Sequence, residues 1–396
     1  MLEGKTIVLG VTGSIAAYKI ANLASMLIKL HAEVHVVMTQ NATNFINPIT
    51  FETLTNHKCL VDTFDRNFEF HVGHVSLAKK TDLMLIAPAS ANVIGKIAGG
   101  IADDMLTTTV MACKAPILIS PAMNTNMYEN AILQENLVKL KNHGMKIIEP
   151  DTGLLACRDV GAGKMPQPEI LLEHILREIA FEKDLADKRI LVTAGATVEA
   201  IDPVRFISNH STGKMGYAIA KAAAYRGARV TLVSGKTALD TPLFVNRIDV
   251  VSAKDMYDAV MEQFKEHDIL IMAAAVADYT PAHYVDEKIK KTDKDSAIPL
   301  VRTKDIIEAA ASMKKQNQFV CGFSMETQNM IENSKGKLEK KHLDMIVANN
   351  LKQEGAGFAT DTNVLTLISK DSVTPLSLMS KEEAAHKLLD EIVKKM

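Results

Sequence analysis

Short runs of β-branched and aliphatic residues alternate with longer amphipathic segments along this chain of 396 residues. Each run has the length of a strand, ends at turn residues and is mostly apolar, which is typical of a strand buried on both faces. In the first half the predicted strands are 6–9, 33–38, 82–87, 117–120 and 146–148, and the predicted helices are 15–30, 89–98, 104–112 and 127–142. Strands that alternate with helices pair in parallel, so this half is predicted to be an α/β fold with helices on both faces of the sheet.

The alternation is interrupted once and then starts again. A glycine- and proline-rich stretch, 153–168, leads into a helix from about residue 169 and a charged segment, 182–189. After it come predicted strands 189–192, 229–234, 268–275, 319–323, 345–348 and 364–369, and predicted helices 215–226, 254–267, 331–341 and 381–395. We therefore predict two α/β domains in tandem, residues 1–185 and 186–396, a division that suits the length of the chain.

The charge balance and the aromatic content exclude some classes of partner. The chain has 45 Lys plus Arg against 47 Asp plus Glu, a formal net charge of -2, which excludes an obligatory polyanion binder. Aromatic residues make up 5% and tryptophan is absent, too few rings for a single-stranded nucleic-acid platform. We therefore predict no nucleic-acid partner.

The lengths of the apolar runs and the spacing of the cysteines indicate the cellular compartment. The longest apolar runs, such as 269–277, are well short of the ~20 residues that a membrane span needs. Residues 1–5 lead directly into the first strand without the pattern of a signal peptide. Cys59, Cys113, Cys157 and Cys321 are far apart and form no C-x-x-C pair, so we predict neither a disulfide framework nor a thiolate zinc site. These features predict a cytoplasmic protein without a membrane partner.

The turn after the first strand is the first candidate for ligand binding. Ligands of open parallel sheets bind beyond the carboxyl ends of the strands, and segment 10–14 combines Gly13 with Ser14 at the start of a helix. The third glycine of a dinucleotide fingerprint is missing, which favours a mononucleotide such as FMN over NAD(P). Thr39, Ser90 and Asn92 follow other predicted strands and are further candidate contacts. The alternatives are an ordinary capped turn and an NAD(P)-linked oxidoreductase.

Two histidines, His71 and His74, precede the third predicted strand at H-x-x-H spacing. That spacing is found in metal sites, but neither a cysteine nor a carboxylate is patterned to complete one. One histidine that acts as an acid or base, or a surface pair without a special role, is the alternative interpretation.

Two further candidates lie near the end of the first half. Asn124 follows strand 117–120 and could orient a carboxylate or an amide, although asparagine is also a good helix cap. Cys157 lies in the glycine-rich stretch 153–165, where nearby cations would favour the thiolate. A structural role is the alternative for both.

The first half resembles the flavin-dependent cysteine decarboxylase family. The matching segments are TGSIAAYK at 12–19, GHVSL at 73–77, APASAN at 87–92, PAMN at 121–124 and ACRDVGAGKM at 156–165. The resemblance implies a flavodoxin-like FMN domain of the HFCD type, in which His74 is the active-site base, Asn124 holds the substrate carboxylate and Cys157 delivers a proton late in the cycle. Flavin chemistry suits the reaction, because oxidation of the thiol-bearing carbon creates the electron sink that loss of CO2 requires.

The second half is similar to phosphopantothenate-cysteine ligases. The matching segments are TAGAT at 193–197, DPVRFISNHSTGKMG at 202–216, AAAVADY at 273–279 and EKIKK at 287–291. The resemblance implies a Rossmann-like ligase domain that activates 4'-phosphopantothenate with CTP, releases pyrophosphate and then lets the amine of L-cysteine displace CMP, with Mg2+ accompanying the nucleotide.

The same resemblance implies roles for residues of the second half. Asn209 would contact the acyl intermediate and Lys288 would neutralise phosphate charge. The implied nucleotide contacts are Asp278, Lys288, Lys304, Asp305, Ile306, Ile307, Phe323, Lys337 and Lys341. For Lys288 the alternative is a solvated position in the polar loop 284–296.

The two resemblances together cover nearly the whole chain, with the decarboxylase-like half before the ligase-like half. That order implies the bifunctional decarboxylase and ligase family of coenzyme A biosynthesis. The same resemblance implies a homo-oligomer with trimeric contacts between decarboxylase domains and dimeric contacts between ligase domains. A non-catalytic flavoprotein would be expected to lack the combination of His74, Asn124 and Cys157. Stand-alone peptidyl-cysteine decarboxylases lack a ligase-like second half.

Overall fold

The computed structural model of the protein describes residues 1–64, 73–154, 160–290, 297–326, 329–350, 357 and 360–396. The chain divides into two compact units, Met1–Glu182 and Lys183–Met396. Each unit has a central sheet and buried apolar clusters of its own. None of the helices in the described residues is long and apolar enough to cross a bilayer.

The first unit contains a parallel five-stranded sheet in the order β2-β1-β3-β4-β5 and a separate antiparallel hairpin, β6-β7. Its strands are β1 Thr6–Val11, β2 Glu33–Met38, β3 Leu83–Ala89, β4 Ile117–Pro121, β5 Lys146–Ile147, β6 Asp151–Leu154 and β7 Val160–Lys164. Its helices are α1 Tyr18–Lys29, α2 Pro48–Thr55, α3 Gly73–Lys80, α4 Ala91–Gly99, α5 Met105–Ala112, α6 Thr125–Tyr128, α7 Ala131–Asn142 and α8 Pro168–Ile179. This is the flavodoxin-like strand order, in which the connections reverse direction between β1 and β3 and leave a crevice at their carboxyl ends.

Two details of the first unit differ from the prediction for physical reasons. The predicted helix 127–142 is two helices, because the Asn130 side chain accepts a hydrogen bond from the backbone N–H of Ile132 and starts α7 there. Strands β6 and β7, which pair in an antiparallel hairpin, lie in and beside the glycine-rich stretch. They were not predicted as strands, because glycine interrupts the apolar alternation by which a strand is recognised.

The second unit contains an eight-stranded sheet in the order β12-β11-β8-β13-β16-β17-β19-β20, parallel from β12 to β17 and antiparallel at β19 and β20. Its strands are β8 Arg189–Ala194, β9 Val198–Ala200, β10 Phe206–Ser208, β11 Arg229–Ser234, β12 Val245–Asp249, β13 Ile269–Met272, β14 Tyr279–Pro281, β15 Leu300–Arg302, β16 Phe319–Glu326, β17 Met345–Asn350, β18 Thr362–Asn363, β19 Leu365–Ser369, β20 Val373–Pro375 and β21 Met379–Ser380. Its helices are α9 Lys214–Tyr225, α10 Ala253–Gln263, α11 Ile306–Ser312, α12 Met330–Lys340 and α13 Lys381–Lys395.

The two faces of this sheet are covered by different helices. One apolar cluster joins the sheet to α9 and α13, and the other joins it to α10, α11 and α12. Helix α9 lies unusually close to β8, because a Cβ atom at Gly216 would come within 2.6 Å of the Ala194 Cβ and 2.8 Å of the Thr193 carbonyl oxygen. Only glycine allows that approach.

A buried arginine fastens the start of the second unit to its last helix. Arg226 is 5% exposed and forms ion pairs with Asp184 and with Asp390 on α13. Its guanidinium also donates a hydrogen bond of 3.1 Å to the backbone oxygen of His386. These bonds satisfy most of the five donors of a buried guanidinium, so the network is an integral part of the packing.

Candidate active sites

The first unit has two cavities at the carboxyl ends of its parallel strands. The larger, about 460 Å³, is lined by Gly13, Ser14, Ile15, Ala16, Tyr18, Lys19, Ser90, Ala91, Ala122, Met123, Asn124, Met127, Leu154, Gly163, Lys164 and Met165. The smaller, about 380 Å³, is lined by Gly13, Thr39, Gln40, Asn41, Ser90, Ala91, Asn92, Val93, Lys96, Asp104 and Met127. The two share lining residues, so they form one continuous region, and the five residues predicted to bind the cofactor all line it.

The turn at 13–16 presents a helix start to this region. Ser14 caps a short 3-10 turn, Ile15–Ala17, by accepting a hydrogen bond of 3.4 Å from the backbone N–H of Ala16. The chain then continues directly into α1. A helix start combines backbone N–H groups with the positive end of the helix dipole, which suits a phosphate group.

A buried threonine joins the ends of β1 and β3 beside the cavities. The Thr12 hydroxyl donates a hydrogen bond of 2.5 Å to the Pro88 backbone oxygen and accepts one of 2.9 Å from the Ser90 backbone N–H. Ser90 in turn caps α4, and Thr39 caps a 3-10 turn, Gln40–Asn44. The hydroxyl groups predicted to contact the cofactor are therefore held in place by backbone contacts of their own.

Asn124 lines the larger cavity next to the β6-β7 hairpin. Its side-chain oxygen accepts a hydrogen bond of 2.9 Å from the Asn126 backbone N–H, so it also starts α6. The neighbouring Met123 backbone N–H donates a 3.0 Å hydrogen bond to the Gly163 oxygen, which holds the hairpin against this segment. Cys157 lies outside the described residues, in the part of the sequence between β6 and β7.

Two cations that line the larger cavity, Lys19 and Lys164, were not among the predicted site residues. Lys19 donates a hydrogen bond of 3.3 Å to the Met165 backbone oxygen. Burial and the nearby Lys164 charge lower the pKa of Lys19. Its place in the helix that follows the glycine turn is the sequence signal that could have identified it.

His74 is the second residue of α3 and is half-buried. Within the described residues it is absent from the lining of both cavities. His71, the other histidine of the H-x-x-H pair, lies outside the described residues. The group of potential metal ligands that the described part of the chain brings together is a different one, Glu33, His35 and His57.

The second unit has a cavity of about 560 Å³ beyond the carboxyl ends of β13 and β16. It is lined by Met272, Ala274, Val276, Ala277, Asp278, Tyr279, Arg302, Thr303, Lys304, Asp305, Ile306, Ile307, Glu308, Phe323, Lys340 and Lys341. Seven of the predicted nucleotide contacts lie in this lining: Asp278, Lys304, Asp305, Ile306, Ile307, Phe323 and Lys341. Arg302, Tyr279 and Lys340 were not predicted, and the first two come from the short β14-β15 hairpin, which has no clear sequence pattern.

Charges and hydrogen bonds organise this cavity. Lys341 forms an ion pair of 2.6 Å with Asp305, whose carboxylate also caps α11 by accepting a hydrogen bond from the Glu308 backbone N–H. The Thr303 hydroxyl donates a 2.6 Å hydrogen bond to the Ala277 backbone oxygen. The lining contains four cations, Arg302, Lys304, Lys340 and Lys341, and three carboxylates, Asp278, Asp305 and Glu308. The small excess of positive charge favours an anionic ligand.

Three predicted ligase residues lie outside that lining. The Asn209 amide donates a 3.1 Å hydrogen bond to the Ala275 backbone oxygen, and Lys337 donates one of 3.4 Å to the Ser324 hydroxyl. Lys288 is exposed, and in the described part of the chain it is not among the residues that line the cavity.

The segment next to Lys288 is nevertheless anchored. The Ile289 backbone N–H donates to a carboxylate oxygen of Asp202 at 3.2 Å, and its carbonyl accepts from Arg205 at 2.9 Å. The Arg205 guanidinium holds the pKa of the buried Asp202 carboxyl well below its usual range.

Known proteins match both units. A model of the flavoprotein family matches residues 1–180, and a model described as the DNA/pantothenate metabolism flavoprotein C-terminal domain matches residues 185–396. The coenzyme A biosynthesis bifunctional protein CoaBC of Vibrio vulnificus (strain YJ016) is 46% identical over 393 residues, which are 99% of this chain and 98% of the relative. This chain belongs to that family. The Bacillus subtilis (strain 168) relative of the same description is 45% identical over 396 residues, 99% of this chain and 97% of the relative.

A solved structure described as the C-terminal domain of CoaBC has 42% identity and a TM-score of 0.47, and the match covers 54% of this chain and 97% of that one. The family membership confirms the predicted fold of a flavoprotein domain followed by a ligase domain. The protein is a bifunctional enzyme of coenzyme A biosynthesis, with decarboxylase and ligase activities.

Proposed function

We propose that each unit carries one of two successive reactions. The ligase unit, predicted as 186–396, joins 4'-phosphopantothenate to L-cysteine with CTP through an acyl-cytidylate. The decarboxylase unit, predicted as 1–185, converts the resulting 4'-phosphopantothenoylcysteine to 4'-phosphopantetheine. One observation carries this assignment: each unit has a cavity at the carboxyl ends of its own strands. The residues that line each cavity lie within the range matched by a different family model.

The residues around the first region fit FMN. The start of a helix at Ser14 suits a phosphate, and Gly13 lines both cavities. A side chain does not fit at Gly13, because an added Cβ would lie 2.9 Å from the Asn41 Cβ. Thr39, Ser90 and Asn92 add hydroxyl and amide groups. These five residues, Gly13, Ser14, Thr39, Ser90 and Asn92, would hold the cofactor. Bound FMN supplies the two-electron oxidation of the thiol-bearing carbon that makes loss of CO2 feasible.

Three side chains of the decarboxylase unit have different roles in the reaction. The Asn124 amide orients the substrate carboxylate without adding a charge that would oppose departure of neutral CO2. An imidazole nitrogen of His74 exchanges the proton of the reacting thiol, a task suited to a group that titrates near neutral pH. The Cys157 thiol delivers a proton to the decarboxylated product. The support is the position of Asn124 in the cavity and the shared sequence segments around all three.

In the ligase unit, charge stabilisation is the main requirement. Activation of the carboxylate concentrates negative charge on the α-phosphate and the acyl oxygen, and fixed cations and amides stabilise it. We assign nucleotide binding to the cavity lined by Asp278, Phe323 and residues 304–307, with Lys341, Lys337 and Lys288 neutralising phosphate charge and Asn209 contacting the acyl intermediate. Mg2+ would accompany the nucleotide phosphates, as is usual for this ion.

The quaternary structure and the location are further parts of the proposal. We propose a homo-oligomer with trimeric contacts between decarboxylase units and dimeric contacts between ligase units, which analytical ultracentrifugation of the full chain would test. A cytoplasmic location remains a prediction that cell fractionation can test.

One incubation tests the proposed function as a whole. The purified protein should be yellow and should release FMN on denaturation. Incubated with 4'-phosphopantothenate, L-cysteine, CTP and Mg2+, it should form pyrophosphate, CMP, 4'-phosphopantothenoylcysteine and then 4'-phosphopantetheine, identified by mass. A colourless protein that takes up no added FMN but binds NAD tightly would contradict the decarboxylase assignment.

A further inference from the structure

A cluster of three potential metal ligands lies apart from the two cavities at the carboxyl ends of the strands in the first unit. Glu33 is the first residue of β2 and pairs in register with Thr6, the first residue of β1. The cluster of Glu33, His35 and His57 is therefore at the amino end of the sheet, whereas the cavities are at its carboxyl end. The chemistry proposed above makes no use of these side chains.

The three side chains already face one another. The His35 Nε2 atom is 2.7 Å from the Glu33 Oε1 atom, and the His57 Nε2 atom is 4.0 Å from the same oxygen. The two imidazole rings are stacked, with centroids 4.2 Å apart and planes inclined by 24°. One ligand atom from each residue lies within 4.8 Å of the others.

The backbone fixes this arrangement. Glu33 and His35 are two residues apart on one strand, so their side chains point to the same face of the sheet. His57 follows Asn56, which ends α2 in the left-handed conformation with φ +57°, and its backbone N–H donates to the Thr55 hydroxyl at 3.2 Å. Ligands on a strand and on a capped helix end need only side-chain rotation to move closer together.

The exposure of the three side chains also suits a bound cation. The His35 side chain is 12% exposed, whereas those of Glu33 and His57 are 43% and 37% exposed. The cluster is thus closed on one side and open to water on the other.

We propose that Glu33, His35 and His57 form a zinc site, with water as the fourth ligand. Two imidazoles and one carboxylate are a known zinc ligand set, and tetrahedral coordination at ~2.0–2.1 Å places ligand atoms ~3.3 Å apart. The observed separations of 2.7 and 4.0 Å lie on either side of that value. Zinc displaces Lys80, whose Nζ atom is 2.9 Å from the same Glu33 oxygen.

The bound ion would fasten the segment after α2 to the edge strand of the sheet. That segment already pairs with β2 farther along, where the Leu60 backbone N–H donates to the Val36 oxygen at 3.0 Å and the Leu60 oxygen accepts from the Met38 backbone N–H at 2.8 Å. Zinc would clamp its beginning at His57. We therefore expect the ion to stabilise the first unit without changing either reaction rate.

The test uses the full-length, flavin-containing protein, treated with a chelator and then titrated with Zn2+ by calorimetry. His57→Gln and Glu33→Gln should each weaken zinc binding about tenfold or more, because each removes one of three protein ligands. Lys80→Met should tighten binding severalfold by removing the competing cation. His143→Gln, at an exposed histidine of the same unit, is the matched control and should bind zinc as the parent does.

Two further measurements make the result independent of how well a variant folds. Zinc should raise the unfolding temperature of the parent and of His143→Gln but not that of His57→Gln. X-ray absorption of the parent with one equivalent of zinc should show a nitrogen and oxygen shell with two imidazoles. A sulfur shell, or equal zinc affinity in His57→Gln, Glu33→Gln and the parent, would overturn the proposal.

Discussion

Thr12 and Thr303 each hold two segments together at the rim of a cavity. Thr12 connects the ends of β1 and β3 through its contacts with Pro88 and Ser90. Thr303, just after β15, is connected to the segment between β13 and β14 through the Ala277 oxygen. Such hydroxyls help to set the positions of neighbouring cavity residues, because each one is hydrogen-bonded to the backbone of a second segment.

Variants at two residues of the decarboxylase unit should stop the reaction at different stages. His74→Asn removes the group that exchanges the thiol proton, so substrate should no longer bleach the flavin. Cys157→Ser retains that step, so it should bleach the flavin and release CO2 but accumulate an unsaturated enethiol product. Stopped-flow absorbance and product mass measure the two stages. Identical behaviour of the two variants would refute the division of labour.

Lys288 tests the ligase assignment at a position where exposure alone suggests a solvated loop. Lys288→Gln should lower the rate of pyrophosphate release by about 10² to 10³, since loss of one preorganised charge commonly has that effect. Decarboxylation of supplied 4'-phosphopantothenoylcysteine should be unchanged. Lys290→Gln, at an exposed lysine two residues away, is the control and should have a much smaller effect. Near-normal ligation by Lys288→Gln would mean that the loop is only solvated.

The sequence predicted the long elements well and the short ones poorly. Strand Glu33–Met38 and helix Lys381–Lys395 have the predicted bounds, because a valine-rich run marks the strand and a Ser380 cap marks the start of the helix. Helix α3 was missed because it begins with glycine and has little apolar periodicity. The β14-β15 hairpin was missed because three-residue strands carry too few side chains for a period, and with it Arg302 and Tyr279 were missed.

The contact of α9 with β8 should tolerate no side chain. Gly216→Ala places a Cβ 2.6 Å from the Ala194 Cβ, so the helix must shift, and the variant should lose roughly 1–3 kcal/mol of unfolding free energy. Gly336→Ala, on the exposed face of α12 with no atom within 4 Å of the new Cβ, should gain about 0.5–1 kcal/mol. Urea unfolding of both measures the contrast. Equal stabilities would show that α9 and β8 are not in such close contact.

At the scale of the whole molecule, each of the two units has its own sheet and buried core. The restart of the alternation of strands and helices after a charged segment is the sequence feature that predicted two domains. The sequence could not show which titratable groups have unusual pKa values, since burial depends on contacts between distant elements. His386 on α13 is one such group.

Acid should weaken the second unit through His386. Burial, and then the neighbouring Arg226 charge, lower the pKa of folded His386 from 6.5 to about 4, with Asp390 and Asp184 acting in the opposite direction. Below pH 6.5 the unfolded chain binds a proton that the folded chain does not, so the unfolding free energy decreases as the pH falls from 6.5 to about 4. His386→Leu should remove on the order of 1–2 kcal/mol of this pH dependence after solvent screening. Urea unfolding at several pH values, with His143→Leu as the control, measures it, and an unchanged slope would contradict it.

The Arg226 network also has a consequence for synthesis on the ribosome. Asp184, Arg226 and Asp390 are spread over the whole of the second unit, and α13 packs against α9 in the same cluster. The first unit has all of its strands by residue 164, so it can fold while the remainder of the chain is being translated. The second unit leaves the apolar face of α9 without its partner until residues 381–395 have emerged from the exit tunnel. During that interval its incomplete core is the part of the nascent chain that chaperones would be expected to protect.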